Sequence, residues 1–224
     1  GLCFRPAISG SGRYVAFISE ATNLVSGVTD GTTNDIFVRD MQTGTTSLAT
    51  VNSGGTAAIG SNSVFDLSDD GRRVVYESYA ATAVAGFVDG NGGGSTDVFQ
   101  RDLQAGVTRL VSAVPGLPTT SGNGGSWLGG GDNFHLMSAD GRYVAFLTSA
   151  SDLVVGHPAV GAGLFVRDIQ NSVTLVGDDA NVQPGFGLTA IEPAPGQRRM
   201  MPPGAAPGGP GAQAARPTQQ GGQA

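Results

Sequence analysis

The stretch Ser138-Ala139-Asp140-Gly141-Arg142-Tyr143-Val144-Ala145-Phe146 joins a tight turn to an apolar strand. Asp-Gly is a hairpin signal, because both residue types tolerate positive φ. Tyr, Val and Phe then favour an extended backbone. The same string recurs upstream as "ISGSGRYVAFIS" from Ile8 and "LSDDGRRVVYES" from Leu67. Each copy is followed by a second recurring string: "DIFVRDMQTGTTSLATV" from Asp35, "DVFQRDLQAGVTRLVSAV" from Asp97 and "LFVRDIQNSVTLVG" from Leu164. Gly12 lies 59 residues before Gly71, and Gly71 lies 70 before Gly141. The extra length falls in the Gly-rich stretch between Pro115 and Gly131, where a surface loop tolerates insertion.

Working outward, each unit reads as four short strands. The first ends at Ser9, Ser68 or Ser138. The second is "RYVAF", "RRVVY" or "RYVAF", the third "DIFVRD", "DVFQRD" or "LFVRD", and the fourth "TTSLATV", "TRLVSAV" or "SVTLVG". Val15 and Phe17 point to one face of the second strand, Tyr14 and Ala16 to the other. Both faces are apolar, so the strand belongs between two packed layers. Gly44, Gly106 and Asn171 stand between strands three and four and suit a left-handed backbone. Four-stranded units repeating at such intervals indicate blades of a β-propeller. The expected fold is therefore all-β: a partial β-propeller of three four-stranded antiparallel blades with a disordered C-terminal tail.

The blades are expected within residues 1–191, at about 6–51, 64–114 and 134–177, with an extra strand at 186–191. Residues 192–224 form the tail, where seven of the twelve prolines lie among Gly, Ala and Gln. Such a composition buries too little apolar surface to offset its ordering entropy.

The charge argues against a nucleic-acid partner and fits a solvated, anion-repelling surface. All twelve basic residues are Arg, and three of them (Arg198, Arg199, Arg216) lie in the tail. No acid occurs from Pro193 onward, so the other nine face all eighteen acids. A body this acidic repels phosphate. Cys3 is the only cysteine and forms no internal disulfide. No run approaches the ~18 apolar residues of a membrane span, and any leader is expected to have been removed or to lie upstream of Gly1.

The repeat "S-x-D-G-R-Y-V-A-F … N-L-V … D-x-N-G … D-V-F-V-R-D-x-x-x-G" resembles the TolB-like, or WD40-like (PD40), β-propeller repeats of bacterial proteins. It stands here at Ser138–Phe146, at Asn23-Leu24-Val25 and at Asp35–Asp40, and the likeness spans about residues 6–177. The resemblance implies a propeller that is usually periplasmic or secreted. It also implies a platform for protein, peptide or glycan partners, or one domain of a larger protein. Three further expectations go with it. The chain is a binding or scaffold module without catalysis, the accessory propeller of a hydrolase or peptidase whose catalytic domain lies elsewhere, or a calcium-stabilised structural repeat.

The calcium reading concerns the loop between strands two and three. It reads "TDGTTNDIF" in the first repeat and "VDGNGGGSTDVF" in the second. Asp30, Asn34, Asp35, Asp89, Asn91 and Asp97 supply the hard oxygen ligands that Ca²⁺ prefers. The competing role for these residues is turn formation and backbone capping. The third loop, "GHPAVGAGLF", has lost both acids. The pairs Arg39-Asp40, Arg101-Asp102 and Arg167-Asp168 recur at strand ends. The Asp is expected to cap the next turn, and the Arg to bridge to a neighbouring blade. Arg13, Arg72 and Arg142 read as structural in the same way. His135, placed on a first strand, and His157 form no metal centre with a third ligand. No G-x-S-x-G elbow occurs, and no catalytic residue is assigned. Trp127 is expected to anchor its own loop. Three blades fall short of the four to eight that close a ring. Self-association through open blades is therefore expected, for instance two chains in a six-bladed ring, unless the chain is part of a longer protein.

Overall fold

A computed structural model describes residues 2–29, 34–59, 64–129, 135–156 and 162–177. The expected extra strand and tail, together with Asp30 and His157, lie outside the described residues. The turn-plus-strand strings fold as anticipated into hairpins. The first unit comprises β1 (Cys3–Ile8), β2 (Tyr14–Ser19), β3 (Asp35–Asp40) and β4 (Thr45–Leu48), hydrogen-bonded in that order. The second comprises β5 (Phe65–Leu67), β6 (Arg73–Ser78), β7 (Asp97–Asp102) and β8 (Val107–Leu110). The third comprises β9 (Ser126–Trp127), β10 (Tyr143–Thr148), β11 (Gly163–Asp168) and β12 (Val173–Val176). All pairings are antiparallel, and the same residues oppose one another in each unit: Phe17 faces Phe37, Tyr76 faces Phe99, and Phe146 faces Phe165.

The alternation of side chains gives each blade two apolar faces. Ala16, Ile18, Ile36 and Val38 form the trailing face of blade one, packed on Val74, Tyr76, Phe99 and Leu110 of the leading face of blade two. Val75 and Val98 on the trailing face of blade two meet Val144, Phe146, Phe165 and Val176 of blade three. The Tyr76 and Phe99 rings stack with centroids 5.8 Å apart, fully enclosed. Fully burying one such side chain stabilises by roughly 1.5–3 kcal/mol. The core therefore lies between blades, as the doubly apolar second strands require.

Two details differ from the sequence reading. In blade three the innermost strand is β9, which starts before the expected boundary at residue 134 and pairs Trp127 with Leu147. The stretch leading to Ser138 makes only an isolated bridge, Met137 to Val144, and His135 lies outside any strand. The Gly-rich insertion thus contains a strand, and Trp127 is half-buried within it. Second, the left-handed residue before β12 is Ser172 (φ 56°), not Asn171. Counted from the strand-end Asp40, Asp102 and Asp168, it is Ser172 that matches Gly44 (φ 70°) and Gly106 (φ 66°).

Candidate functional site

The recurring charges are tied together inside each blade. Arg13 Nε and Nη2 donate to the two oxygens of Asp40 at 3.0 and 2.7 Å. Arg72 meets Asp102 with Nη2 at 2.9 Å, and Arg142 meets Asp168 with Nη2 at 2.7 Å. Each Asp also accepts backbone N–H groups from the turn that follows, such as Gln104 at 3.1 Å and Ala105 at 2.8 Å. The expected cap is present in all three blades. The Arg13 guanidinium holds the Asp40 carboxyl far below the usual carboxylate range. Of the arginines expected to bridge blades, Arg39 and Arg101 reach only Thr46 and Thr108 of the neighbouring strand. Arg167 bonds Thr174 at 2.8 Å and reaches the Ala113 carbonyl beyond β8 at 3.5 Å. The bridging role therefore belongs to one of the three. The Asp side chains are held instead by the arginines of the hairpin turns, each one residue before Tyr14, Arg73 or Tyr143, the residues that register sets opposite Asp40, Asp102 and Asp168.

The loop acids separate by repeat. Asp35 is fully buried, and its Oδ1 accepts the Thr50 hydroxyl at 2.9 Å. Asn34 Oδ1 is buried without a hydrogen-bond partner. In the second repeat Asp89, Asn91 and Asp97 come together. Asp89 Oδ1 accepts the backbone N–H of Asn91 at 2.9 Å and of Gly92 at 3.0 Å. Asn91 Nδ2 lies 3.3 Å from both Asp97 oxygens, and Ser112 Oγ donates to Asp97 Oδ1 at 3.0 Å. Burial pushes the Asp97 carboxyl up to about 6, against the stabilising hydroxyl and amide donors and with the Asp89 charge adding to the rise. Asn91 Oδ1 is buried and unpartnered. In the third repeat Gly163 opposes Thr148 where Asp35 opposes Ser19, so no carboxylate remains there. Among the described residues no three His, Cys, Asp or Glu side chains converge.

Sequence reasoning passed over Asp66. Its Oδ2 accepts the N–H groups of Leu136 at 2.8 Å and Met137 at 3.1 Å, stitching blade two to blade three. His135 Nδ1 stands 3.9 Å from Oδ1, and the carboxylate draws the imidazole pKa upward. A charged residue inside the short apolar run Phe65-Asp66-Leu67 was the available signal.

At the seam of blades one and two lies an open cleft of about 500 Å³. Tyr14, Val38, Asp40, Thr45 and Ser47 line one wall, and Asp70, Arg72, Leu103 and Gln104 the other. Among the described residues no helix is long and apolar enough to cross a membrane.

No protein-family model matches the sequence. No curated protein matches it either. Several solved structures are similar. The putative TolB from Agrobacterium tumefaciens is 17% identical at a TM-score of 0.43, over 79% of this chain and 49% of that one. The tricorn protease is 14% identical at a TM-score of 0.43, over 75% of this chain and 14% of that one. The β-propeller domain of the Trilobed protease from Pyrococcus furiosus is 9% identical at a TM-score of 0.39, over 77% and 40%. The chain thus spans about half or less of the length of these structures. By its own three four-stranded sheets, packed face to face in chain order, the molecule is a partial β-propeller, similar in fold to TolB and to peptidase propellers.

Proposed function

We propose that this chain is a non-catalytic binding module that holds a peptide segment of a protein partner, acting outside the cytoplasm as the resemblance of its repeats implies. The observation that supports this reading is the seam cleft. Its volume is that of a ligand site, and its lining combines Tyr14, Val38 and Leu103 with carboxylate, guanidinium, hydroxyl and amide groups. The paired Arg and Asp residues hold their positions through bidentate bonds, so the cleft is preorganised. The test is selection of peptides on the immobilised chain, followed by affinity measurement against Ser47→Arg and Gln104→Arg. Both positions are exposed, so the variants fold. Binding weakened about tenfold or more supports the cleft. Peptides that bind both variants as tightly as the parent chain exclude it.

A second reading is favoured by the Asp97 environment. Two carboxylates and an unpartnered buried amide oxygen supply part of the six to eight oxygens that Ca²⁺ takes. Asp89, Asn91 and Asp97 would hold the ion, which would neutralise the buried charge and brace the loop. Melting in millimolar Ca²⁺ and again in EDTA tests this. A ligand at about 100 times its Kd adds about 2.7 kcal/mol, a shift of several degrees. Identical melting curves leave the loop to its hydrogen bonds.

A further inference from the structure

Each seam between blades is built from the same joint, and among the described residues both halves of that joint recur once more at the two ends of the stack. At the first seam, the Tyr14 ring of blade one lies under the hairpin glycine of blade two. A Cβ on Gly71 would sit 2.1 Å from Tyr14 Cδ2. At the second seam, Arg73 takes the same place under blade three, where a Cβ on Gly141 would sit 2.5 Å from Arg73 Cδ. The corresponding glycine of blade one is Gly12. It has the same left-handed backbone (φ 72°), and nothing lies within 4 Å of its Cβ position. The corresponding side chain of blade three is Tyr143. It matches Tyr14 in type, and Arg142 crosses its ring at 4.9 Å as Arg13 crosses that of Tyr14.

The sheet faces repeat this pattern. On the trailing face of blade one, Ala16, Ile18 and Ile36 are fully buried beneath blade two. Register places Ala145, Leu147 and Leu164 at these positions in blade three. There Ala145 and Leu147 are half-buried and Leu164 is 42% exposed, while Val166 stays buried. On the leading faces, Arg167 of blade three is buried against blade two, whereas its counterpart Arg39 in blade one is exposed. Val15 and Phe17 are only half-buried where Val74 and Tyr76 of blade two are fully enclosed. Leu24, Val25, Val28 and Ala58 pack against Phe37, Leu48 and Val51 on that leading face.

We infer that the trailing face of blade three receives the leading face of blade one from a second copy of this chain, Tyr143 of one copy seating under Gly12 of the other. The argument for this occupant is complementarity: the chain's own blade one has the side chains, register and vacant glycine that each internal seam uses. The contact is head-to-tail, so two copies close only if both joints form at once. Three blades from each copy give six, within the range of closed propellers.

The test is sedimentation of the full chain at micromolar to hundred-micromolar concentration, with two surface variants. Leu164→Arg blocks the trailing face, and Val15→Arg blocks the leading face. The expected parent species has twice the 22.5 kDa chain mass. Each variant alone loses the dimer, with association weakened about tenfold or more. Mixing the two variants does not rebuild the closed dimer, because the one joint left intact is half of what closure needs. Circular dichroism of each variant reports whether its sheets persist. If Leu164→Arg loses its sheets, Ala145→Asp replaces it. A parent chain that stays monomeric throughout overturns the inference. So does a dimer that either variant leaves intact.

Discussion

Asp97 stands at the start of β7 with almost no solvent contact, held by a serine hydroxyl and an asparagine amide. Burial raises its pKa from 3.8 to about 6. The folded state therefore holds a proton in a range where the unfolded chain has released it. Stability from this group is complete below the unfolded pKa and is lost as pH rises through the folded one. The loss amounts to about 3 kcal/mol between roughly pH 4 and pH 6. Asp40, Asp102, Asp140 and Asp168 act in the opposite sense, since their pKa values are lowered. Their contribution is present above the unfolded carboxylate pKa and disappears as pH falls below it. His135 shares the direction of Asp97 but titrates higher, and its half-exposed ring is screened by solvent. The parent chain should thus melt at a lower temperature at pH 6.5 than at pH 4.5, and Asp97→Asn should remove most of that decline. A variant whose melting temperature falls as steeply as the parent's would place the effect elsewhere. The burial of Asp97 was not legible in the sequence, where Asp97 and Asp89 look alike. Position separates them: Asp97 lies within the strand ladder and Asp89 in the loop.

The hairpin turn shows what local sequence did and did not disclose at the level of elements. Strands β2, β6 and β10 follow from alternating apolar residues after Gly12, Gly71 and Gly141, and the structure has all three there. Strand β9 did not announce itself, because two residues in a Gly-rich stretch give no periodicity. Its pairing is set by the end of β10, where Leu147 and Thr148 oppose Trp127 and Ser126, a tertiary cause. The joints between blades were hidden for the same reason, since a glycine that serves a turn looks the same as one that also receives a neighbour's ring. Substitution separates the two roles. Gly71→Ala meets both the left-handed backbone (φ 70°) and the Tyr14 ring. The backbone term costs about 1–2 kcal/mol, and forcing a methyl into a filled seam adds about 1–3 kcal/mol. Gly71→Ala in the Tyr14→Ala background should cost only the backbone part, because the ring is gone. Urea denaturation of the four chains measures the coupling directly. Additive losses would mean that the ring and the glycine do not constrain each other.

Across the whole molecule, stability in a stack of blades is a sum of the blades and the seams between them. Two seams are filled among the described residues, and the inferred contact would use the leading face of blade one and the trailing face of blade three. Anything that binds the folded chain and not the unfolded one raises the melting temperature by mass action. If that ligand is a second copy, the melting temperature must rise with protein concentration, and it must do so through Gly12. At low concentration Gly12→Ala should cost only the left-handed backbone term, about 1–2 kcal/mol, because nothing surrounds its Cβ. At high concentration the added methyl meets Tyr143 of the neighbour, so the variant should lose the concentration dependence that the parent shows. The Leu164→Arg chain provides the reference, since it lacks the partner face at every concentration. In that background Gly12→Ala should produce the same shift whether the sample is dilute or concentrated. A parent melting temperature that does not move over a hundredfold range of concentration would leave Gly12 as a turn residue alone. A parent that does move, with Gly12→Ala moving equally, would put the contact on a different surface of the stack.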